Sequence, residues 1–365
     1  MKLLTVVGAR PQFIKAAAIS RRLQDFKQNE IQEQIVHTGQ HYDEGMSDVF
    51  FRELDIPTPR WNLGAGQAGD HGQNMGTMIS GIDEVISDYR PDCMLVYGDT
   101  NSTLAGAISA AKMGLRLAHV EAGLRSFRRG MPEEVNRVVT DRVSDFLFCP
   151  TDVAVSHLRN EGRTDHVYLV GDVMFDVFKR ALARIDNSAP SRYGMTSKQY
   201  VLATIHRAEN TDDVKRLTCI FEALGRVSQV LPVLLPLHPR TRRALDRERL
   251  VVADAIKVTE PLPYQELVSL MVASAVVATD SGGMQKEAYF SEAPCVTLRD
   301  ETEWIETVEQ GWNVLAPPTN ASEAAGNISA AIIAAANKPP EKQPPAIYGN
   351  GDAAGEIIQT LRQVL

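Results

Sequence analysis

The sequence predicts an α/β protein built from two doubly wound, Rossmann-like domains. Short apolar runs rich in β-branched residues alternate with helix-forming runs along most of its 365 residues. That is the pattern of parallel sheets covered on both faces. Several of these runs end in glycine and a charged residue, as at Gly98-Asp99-Thr100 and Gly171-Asp172, where a strand turns into a helix. The alternation also starts afresh at Tyr200-Val201-Leu202-Ala203-Thr204, after a polar stretch from Asn187 to Ser197 that carries Pro190 and Gly194. A chain of this length suits two domains of average size. The expected division is 1–171, rejoined by a terminal helix over 352–365, and 172–351.

The first strand is Leu3-Leu4-Thr5-Val6-Val7, closed by Gly8-Ala9-Arg10-Pro11. Proline suits the first helical position, so a helix is expected from Pro11 through Ala16-Ala17-Ala18. Arg10 and Lys15 then fall in the first βα turn, on the edge where open α/β sheets bind ligands. Two cations there point to an anionic substrate. Gln34 to Thr38 reads as the next strand, followed by Gly39-Gln40-His41 and a helical stretch with Met46, Val49, Phe50 and Leu54. The segment with Gly64, Gly66, Gly69 and Gly72 reads as a loop.

Cys93 to Tyr97 is a fully apolar strand that ends in Gly98-Asp99-Thr100 before a helix from Ser102 to Met113. Arg116 to Val120 repeats the pattern and ends in Glu121-Ala122-Gly123-Leu124-Arg125. Asp99 and Glu121 thus stand at strand tips. Glu133 follows Pro132 at the start of another helix, after a loop with Arg125, Arg128 and Arg129. An acid in a first helical turn is also an ordinary dipole partner, and Asp99 alone is an ordinary cap. Together the three make a carboxylate cluster of the kind that takes a proton from carbon.

In the second half, the first strand ends at Ile205-His206-Arg207. A histidine titrates near neutrality, so His206 suits a proton donor to a leaving phosphate, with Arg207 beside it to neutralise charge. Leu231 to Leu237 leads to His238-Pro239-Arg240. The run Ala275-Val276-Val277-Ala278 leads into Thr279-Asp280-Ser281-Gly282-Gly283-Met284-Gln285-Lys286-Glu287. Ser281-Gly282-Gly283 opens a helix there, where unpaired N–H groups and the dipole favour a phosphate or diphosphate, and the glycines keep no Cβ in its way. Glu287, further along that helix, suits a vicinal diol such as ribose. Ala321 to Asn337 is an alanine-rich helix. The proline-rich segment Lys338 to Pro345 then precedes an amphipathic terminal helix with Ile357, Ile358, Leu361 and Val364, placed to cross back to the first domain.

A net charge of −8 argues against general binding to nucleic acid or an anionic membrane. The four cysteines (Cys93, Cys149, Cys219, Cys295) form no Cys-x-x-Cys pair, as expected of buried thiols in a reducing compartment. The N-terminus enters a strand at once without a leader pattern, and the apolar run Ala330 to Ala336 is too short to span a bilayer. A cytoplasmic location is expected.

In combination, Gly8-Ala9-Arg10-Pro11, Gly98-Asp99-Thr100, His119-Val120-Glu121-Ala122-Gly123-Leu124-Arg125, Pro132-Glu133-Glu134-x-Asn136-Arg137, His206-Arg207 and Asp280-Ser281-Gly282-Gly283 resemble the non-hydrolysing UDP-N-acetylglucosamine 2-epimerase family over almost the whole chain. The resemblance implies a GT-B type fold with the active site in a deep cleft. It implies inversion at C2 of the sugar, UDP-GlcNAc to UDP-ManNAc, by elimination of UDP to a glycal and re-addition, supplying precursors of surface polysaccharide. No metal and no cofactor is implied, and a homodimer is the expected assembly. Asp99, Glu121 and Glu133 match the family's acid–base carboxylates and His206 its catalytic histidine. Arg10 and Lys15 match cations that contact the nucleotide-sugar, while Ser281, Gly282, Gly283 and Glu287 match the diphosphate and ribose site. Gln40, His41, Gln67 and His238 match positions of a second, activating UDP-sugar.

The chain departs from the common pattern in several places. Trp304 stands where many members have arginine, Leu262 and Leu267 replace a glutamine and a phenylalanine on the uracil side, and Ala9-Arg10-Pro11-Gln12-Phe13 replaces Thr-Arg-Pro-Glu. These features resemble the branch acting on UDP-2,3-diacetamido-2,3-dideoxy-glucuronic acid. The rival expectations are a GT-B glycosyltransferase, a hydrolysing epimerase and a silent nucleotide-sugar sensor. The three carboxylates favour the epimerase over the transferase, and the intact acids with His206 argue against the sensor.

Overall fold

The computed structural model describes residues 1–25, 31–40, 56–67, 70–128, 130–319, 323–340, 344 and 346–365. The expected helical stretch with Met46, Val49, Phe50 and Leu54 lies outside them. The chain divides into two compact units, Met1–Val177 with Ala346–Leu365, and Phe178–Pro345.

In the first unit the strands are β1 (Lys2–Val7), β2 (Gln32–His37), β3 (Trp61–Asn62), β4 (Cys93–Tyr97), β5 (Arg116–Val120), β6 (Phe146–Cys149) and β7 (Val167–Leu169). All described pairings are parallel, in the order β3-β2-β1-β4-β5-β6-β7. The central strands are buried on both faces: Leu3 to Val7 and Cys93 to Tyr97 are inaccessible. That burial explains why their sequences run apolar without alternation. Val6 pairs with Val36, and Leu3 with Cys93.

The second unit holds β8 (Val201–Thr204), β9 (Val233–Pro236), β10 (Ile256–Thr259), β11 (Val276–Thr279), β12 (Cys295–Thr297) and β13 (Asn313–Leu315), parallel in the order β10-β9-β8-β11-β12-β13. Numbered within each unit, both sheets contain the order 3-2-1-4-5-6, the Rossmann winding. Each therefore reverses direction once, between β1 and β4 and between β8 and β11. The C-terminal ends of those strand pairs are where doubly wound sheets bind ligands. One apolar cluster of the second unit packs Val201, Ala203, Val233, Val276 and Val296 against Leu217, Ile220, Leu224 and Ile328.

Two expectations need correction. The glycine-rich segment is not a loop throughout. Trp61–Asn62 adds a strand, Ala65–Gln67 forms a short 3-10 turn, and Gly72 lies inside a long helix, His71–Tyr89. Asp70 caps that helix, accepting the N–H of Gln73 at 3.0 Å, and Met78, Ile82, Val85 and Ile86 bury its inner face. Gly72, Gly76 and Gly81 weaken its intrinsic propensity, so packing makes the helix. A Cβ on Gly81 would stand 2.9 Å from the methyls of Leu63, so the glycine is where the preceding chain presses on.

The division between units also shifts, to Val177 from the expected Gly171, and back at Ala346 instead of Asp352. The reason is a short hydrogen-bonded seam. The N–H of Asp172 donates to the Tyr348 carbonyl at 3.0 Å. Asp176 accepts the N–H groups of Ala353 and Ala354 at 3.0 and 2.8 Å, at the start of the terminal helix Ala353–Val364. That helix buries Ile357, Ile358 and Leu361 and packs on the helix Arg10–Asp25, where Arg22 meets Asp352 at 3.2 Å. The polar stretch 187–197 belongs wholly to the second unit. It forms a short helix, Ala189–Arg192, and Ala189 and Met195 are buried with Phe178 in that unit's core.

The four cysteines are buried free thiols, and desolvation pushes Cys93 and Cys295 up to about 12. Among the described residues no helix is long and apolar enough to cross a membrane.

Candidate active site

At the switch point of the first unit, Gly98 and Glu121 both take left-handed backbone conformations, φ 62° and 70°. Such a conformation is ordinary for glycine but costly for glutamate, and here hydrogen bonds hold it. The N–H of Gly98 donates to the Val120 carbonyl at 3.0 Å, and those of Glu121 and Ala122 donate to the Phe148 carbonyl. The turn delivers the Glu121 carboxylate against the ammonium of Lys15, and both side chains are buried. A Cβ on Gly98 would lie 2.9 Å from that ammonium and 3.2 Å from Oε2 of Glu121. Lys15 is therefore paired with a carboxylate of the cluster.

Asp99 is half-exposed and receives Arg137 Nη2 on Oδ2 at 2.6 Å. It does not cap the helix Asn101–Met113, since the cap is Thr100. Asn136 donates to the Asp99 carbonyl at 2.8 Å. Glu133 lies in the first turn of Pro132–Val143, partly exposed, on the helix that also supplies Asn136 and Arg137. Its neighbour Glu134 turns inward. Burial opposes its charge, but the N–H groups of Ser126 and Phe127, at 2.8 and 2.9 Å, and Arg137 at 3.0 Å hold it below the usual carboxylate range. The adjacent acids have thus taken separate jobs: Glu134 fixes the 126–127 turn.

Beneath the cluster, His119 bridges two tips. Its Nε2 lies 2.8 Å from the Gly98 carbonyl and its Nδ1 2.7 Å from Asp141. Asp141 also receives the N–H of Gly123 at 3.1 Å and Arg125 Nη1 at 2.7 Å. Desolvation works against that buried carboxylate, yet His119 and Arg125 keep its pKa lowered. Gln12, fully buried, accepts the N–H groups of Gly8 and Ala9 and donates to the Tyr97 carbonyl at 3.1 Å and Thr103 at 3.0 Å. A glutamate at this position would lack the two donor protons.

The second unit assembles its groups at the β8/β11 switch point. Asp280, fully buried at the end of β11, accepts the N–H of His206 at 3.0 Å, of Arg207 at 3.0 Å and the side chain of Asn210 at 3.1 Å. The rings of His206 and His238 lie 5.4 Å apart, and His238 Nδ1 accepts the N–H of Arg240 at 3.1 Å. Ser281 caps the helix Gly282–Phe290. A Cβ on Gly282 would stand 3.5 Å from Arg207 Nη2 and from Trp304 Nε1, and 3.7 Å from Glu303 Oε2. Glu287 is buried on the same helix. Burial first, and the Glu287 carboxylate second, push the Tyr264 hydroxyl well above its ordinary pKa.

Gathered at one switch point are therefore Lys15, Asp99 and Glu121, with Glu133 on the helix that braces Asp99. At the other are His206, Arg207, Ser281, Gly282 and Gly283, with Glu287 along the helix. His238 adjoins His206 rather than standing apart. Gln40 accepts the N–H of Ser102 at 3.1 Å and its hydroxyl at 2.7 Å, in the first turn of the helix that Thr100 caps. His41 and the side chains of Arg10 and Gln67 lie outside the described residues. Arg137, Asp280, His119 and Trp304 join these groups without having been singled out as site residues. A signal existed for each: a charged residue one turn after Glu133, polar residues inside or next to buried strands, and, at Trp304, a departure from the arginine of the common pattern.

The family model for UDP-N-acetylglucosamine 2-epimerase matches residues 24–362. The UDP-2,3-diacetamido-2,3-dideoxy-D-glucuronate 2-epimerase of Pseudomonas aeruginosa is 51% identical over 320 residues, covering 86% of this chain and 88% of that protein. A UDP-N-acetylglucosamine 2-epimerase homolog of Methanococcus maripaludis is 44% identical over 371 residues, all of both chains. The crystal structure of the Methanocaldococcus jannaschii UDP-GlcNAc 2-epimerase in complex with UDP-GlcNAc and UDP superposes with a TM-score of 0.87, at 38% identity and full coverage of both chains. The fold is α/β and GT-B-like. With the family model spanning most of the chain and relatives of this identity, the chain belongs to the UDP-N-acetylglucosamine 2-epimerase family and is an isomerase of the UDP-sugar 2-epimerase kind.

Proposed function

We propose that the protein inverts C2 of a UDP-linked 2-acetamido sugar by eliminating UDP and adding it back. A carboxylate of the first unit takes the C2 proton while the C1–O bond breaks and its electron pair leaves with UDP. C1 and C2 become the double bond of a glycal. UDP oxygen then re-forms the bond to C1, and a second acid delivers a proton to the opposite face of C2. Atoms and charge balance without an oxidant or reductant.

The supporting observation is the cluster at the β1/β4 switch point, where Glu121 faces Lys15 and Asp99 faces Arg137. Both pairs set a cation against a carboxylate at the sheet edge where doubly wound folds bind their ligands. Asp99, Glu121 and Glu133 are the proposed acid–base groups, with His206 protonating the departing diphosphate. Arg10, Lys15, Arg207 and the Ser281–Gly283 turn bind the anionic substrate, and Glu287 binds the ribose. Gln40, His41, Gln67 and His238 remain the positions proposed for a second UDP-sugar.

UDP-GlcNAc is the first substrate to test. A 2,3-diacetamido-glucuronate substrate is the second, favoured by the 51% identity to an enzyme of that name. Surface polysaccharide synthesis is the proposed destination of the product, a homodimer the proposed assembly, and the cytoplasm the proposed location. Each UDP-sugar is incubated alone with the protein in deuterated water. Deuterium at C2 of the epimer, with scrambling of the oxygen that bridged C1 to the β-phosphate, is expected. Full protium at C2 without scrambling overturns the elimination, and free sugar in place of epimer makes the enzyme hydrolytic.

A further inference from the structure

Trp304 stands at a position where composition gives no reason for a buried indole beside charged groups. It is 6% exposed, and Lys286, itself 2% exposed, holds its ammonium 3.9 Å from the ring centroid. The main chain on either side is pinned. The N–H of Trp304 donates to Thr302 Oγ1 at 3.0 Å, and the Thr307 hydroxyl donates to the Trp304 carbonyl at 2.7 Å. Thr302 in turn donates to Gln285, on the same helix as Lys286. These contacts fix where the indole edge points.

That edge points at the turn before the helix Gly282–Phe290. The space left by the missing side chain of Gly282 is bounded by Trp304 Nε1, Arg207 Nη2 and Glu303 Oε2. Two of these groups are donors, and the first-turn N–H groups of the helix add more. The third is a carboxylate paired with Arg299. Burial opposes ionisation of Glu303, but Arg299, 3.1 Å away, and then Arg207 keep its pKa lowered. Lys286 over the indole face adds positive potential and draws electron density from the ring, which strengthens the N–H as a donor.

We infer that the indole N–H of Trp304 donates a hydrogen bond to a phosphate oxygen of the bound nucleoside diphosphate, beside Arg207. The inference rests on the proposal that the Ser281–Gly283 turn holds the diphosphate of a UDP-sugar. Trp304 is then a binding residue, and the indole supplies a neutral donor that adds no charge next to Glu303.

UDP itself is the probe, titrated by calorimetry. Trp304→Phe keeps an aromatic ring beside Lys286 and loses the N–H together with part of the indole's volume. It is expected to weaken UDP binding by about tenfold, the size of one hydrogen bond to a charged group, with KM rising in step and kcat changing less. Trp304→Leu removes ring and N–H and weakens binding further. Binding of UDP to Trp304→Phe as tightly as to the wild type overturns the inference. A measurement on the wild type covers the case in which a variant fails to fold. The indole N–H signals of Trp61, Trp304 and Trp312, the three tryptophans of the chain, are followed as UDP is added. A downfield shift of the Trp304 signal supports the inference, and an unmoved signal overturns it. If the wild type does not bind UDP at all, the diphosphate assignment of the turn fails and this inference falls with it.

Discussion

The carboxylate of Asp280 receives the main-chain N–H of His206 on both oxygens, at 3.0 and 3.1 Å, while Nδ1 of the same histidine lies 4.0 Å from Oδ1. One buried anion thus ties the tip of β8 to the tip of β11. Asp280→Asn keeps the shape but turns a donor toward N–H groups that need an acceptor. The expected result is a loss of about 1–3 kcal/mol of stability for the orphaned donor and a fall in turnover, because His206 and Arg207 are both anchored there. Thermal unfolding and steady-state rates check it. Wild-type turnover in a correctly folded Asp280→Asn would remove Asp280 from any part in holding His206.

Asp99→Asn, Glu121→Gln, Glu133→Gln and His206→Asn are each expected to lower turnover by roughly two to four powers of ten, the usual size of an acid–base contribution. Their effects on stability should separate. Glu121→Gln leaves the buried Lys15 ammonium without its counter-charge and is expected to cost about 3–5 kcal/mol. Glu133 is partly exposed, so Glu133→Gln should unfold near the wild-type temperature. Unchanged turnover in all four variants would show that the chemistry lies elsewhere.

Gly98→Ala tests the crowding of the first switch point. The left-handed backbone alone costs an alanine about 1–2 kcal/mol, and the added methyl meets Lys15 and Glu121. Gly114→Ala carries the same backbone strain, φ 69°, with nothing within 4 Å of the new methyl. Gly98→Ala is therefore expected to lose more stability than Gly114→Ala, and only Gly98→Ala should lose most of its activity. Equal activity in the two would mean that the Lys15–Glu121 pair need not be held where it is.

Asp176 gives the terminal helix a pH dependence. Burial raises its pKa to about 6, against the pull of the Ala353 and Ala354 N–H groups. A carboxyl whose pKa is higher in the folded state gives its full stabilisation below its unfolded pKa, near 4, and loses it as pH rises through the folded value. Stability should therefore decline between pH 4 and about 6 by a step that Asp176→Asn lacks. Denaturant titrations of both proteins across that range measure the two slopes. Parallel slopes would refute the assignment to Asp176.

Much of the fold was legible in the residues. Strands buried on both faces must be apolar throughout, so Leu3 to Val7, Cys93 to Tyr97 and Val276 to Ala278 announced themselves, and their order in the chain gave two wound units. Asp99, Glu121, His206 and Ser281 stood just beyond the strand ends, and glycines in three of those turns helped to mark them. The helix His71–Tyr89 was hidden because three glycines mask a pattern that only burial against β4 and its neighbours completes.

What the sequence determined by itself was local: which runs are buried, where each strand turns, and which charged groups stand at a sheet edge. Tertiary structure decided the pairings. Only folding brought Lys15 to Glu121, Arg137 to Asp99, Asp176 to the terminal helix and Trp304 over Lys286. The physical reason is the separation along the chain. Partners well outside one helical or strand period, from Lys286 and Trp304 to Lys15 and Glu121 at 106 residues, leave no spacing signal in the sequence, and a charge reads as a surface charge until the fold sets its partner beside it.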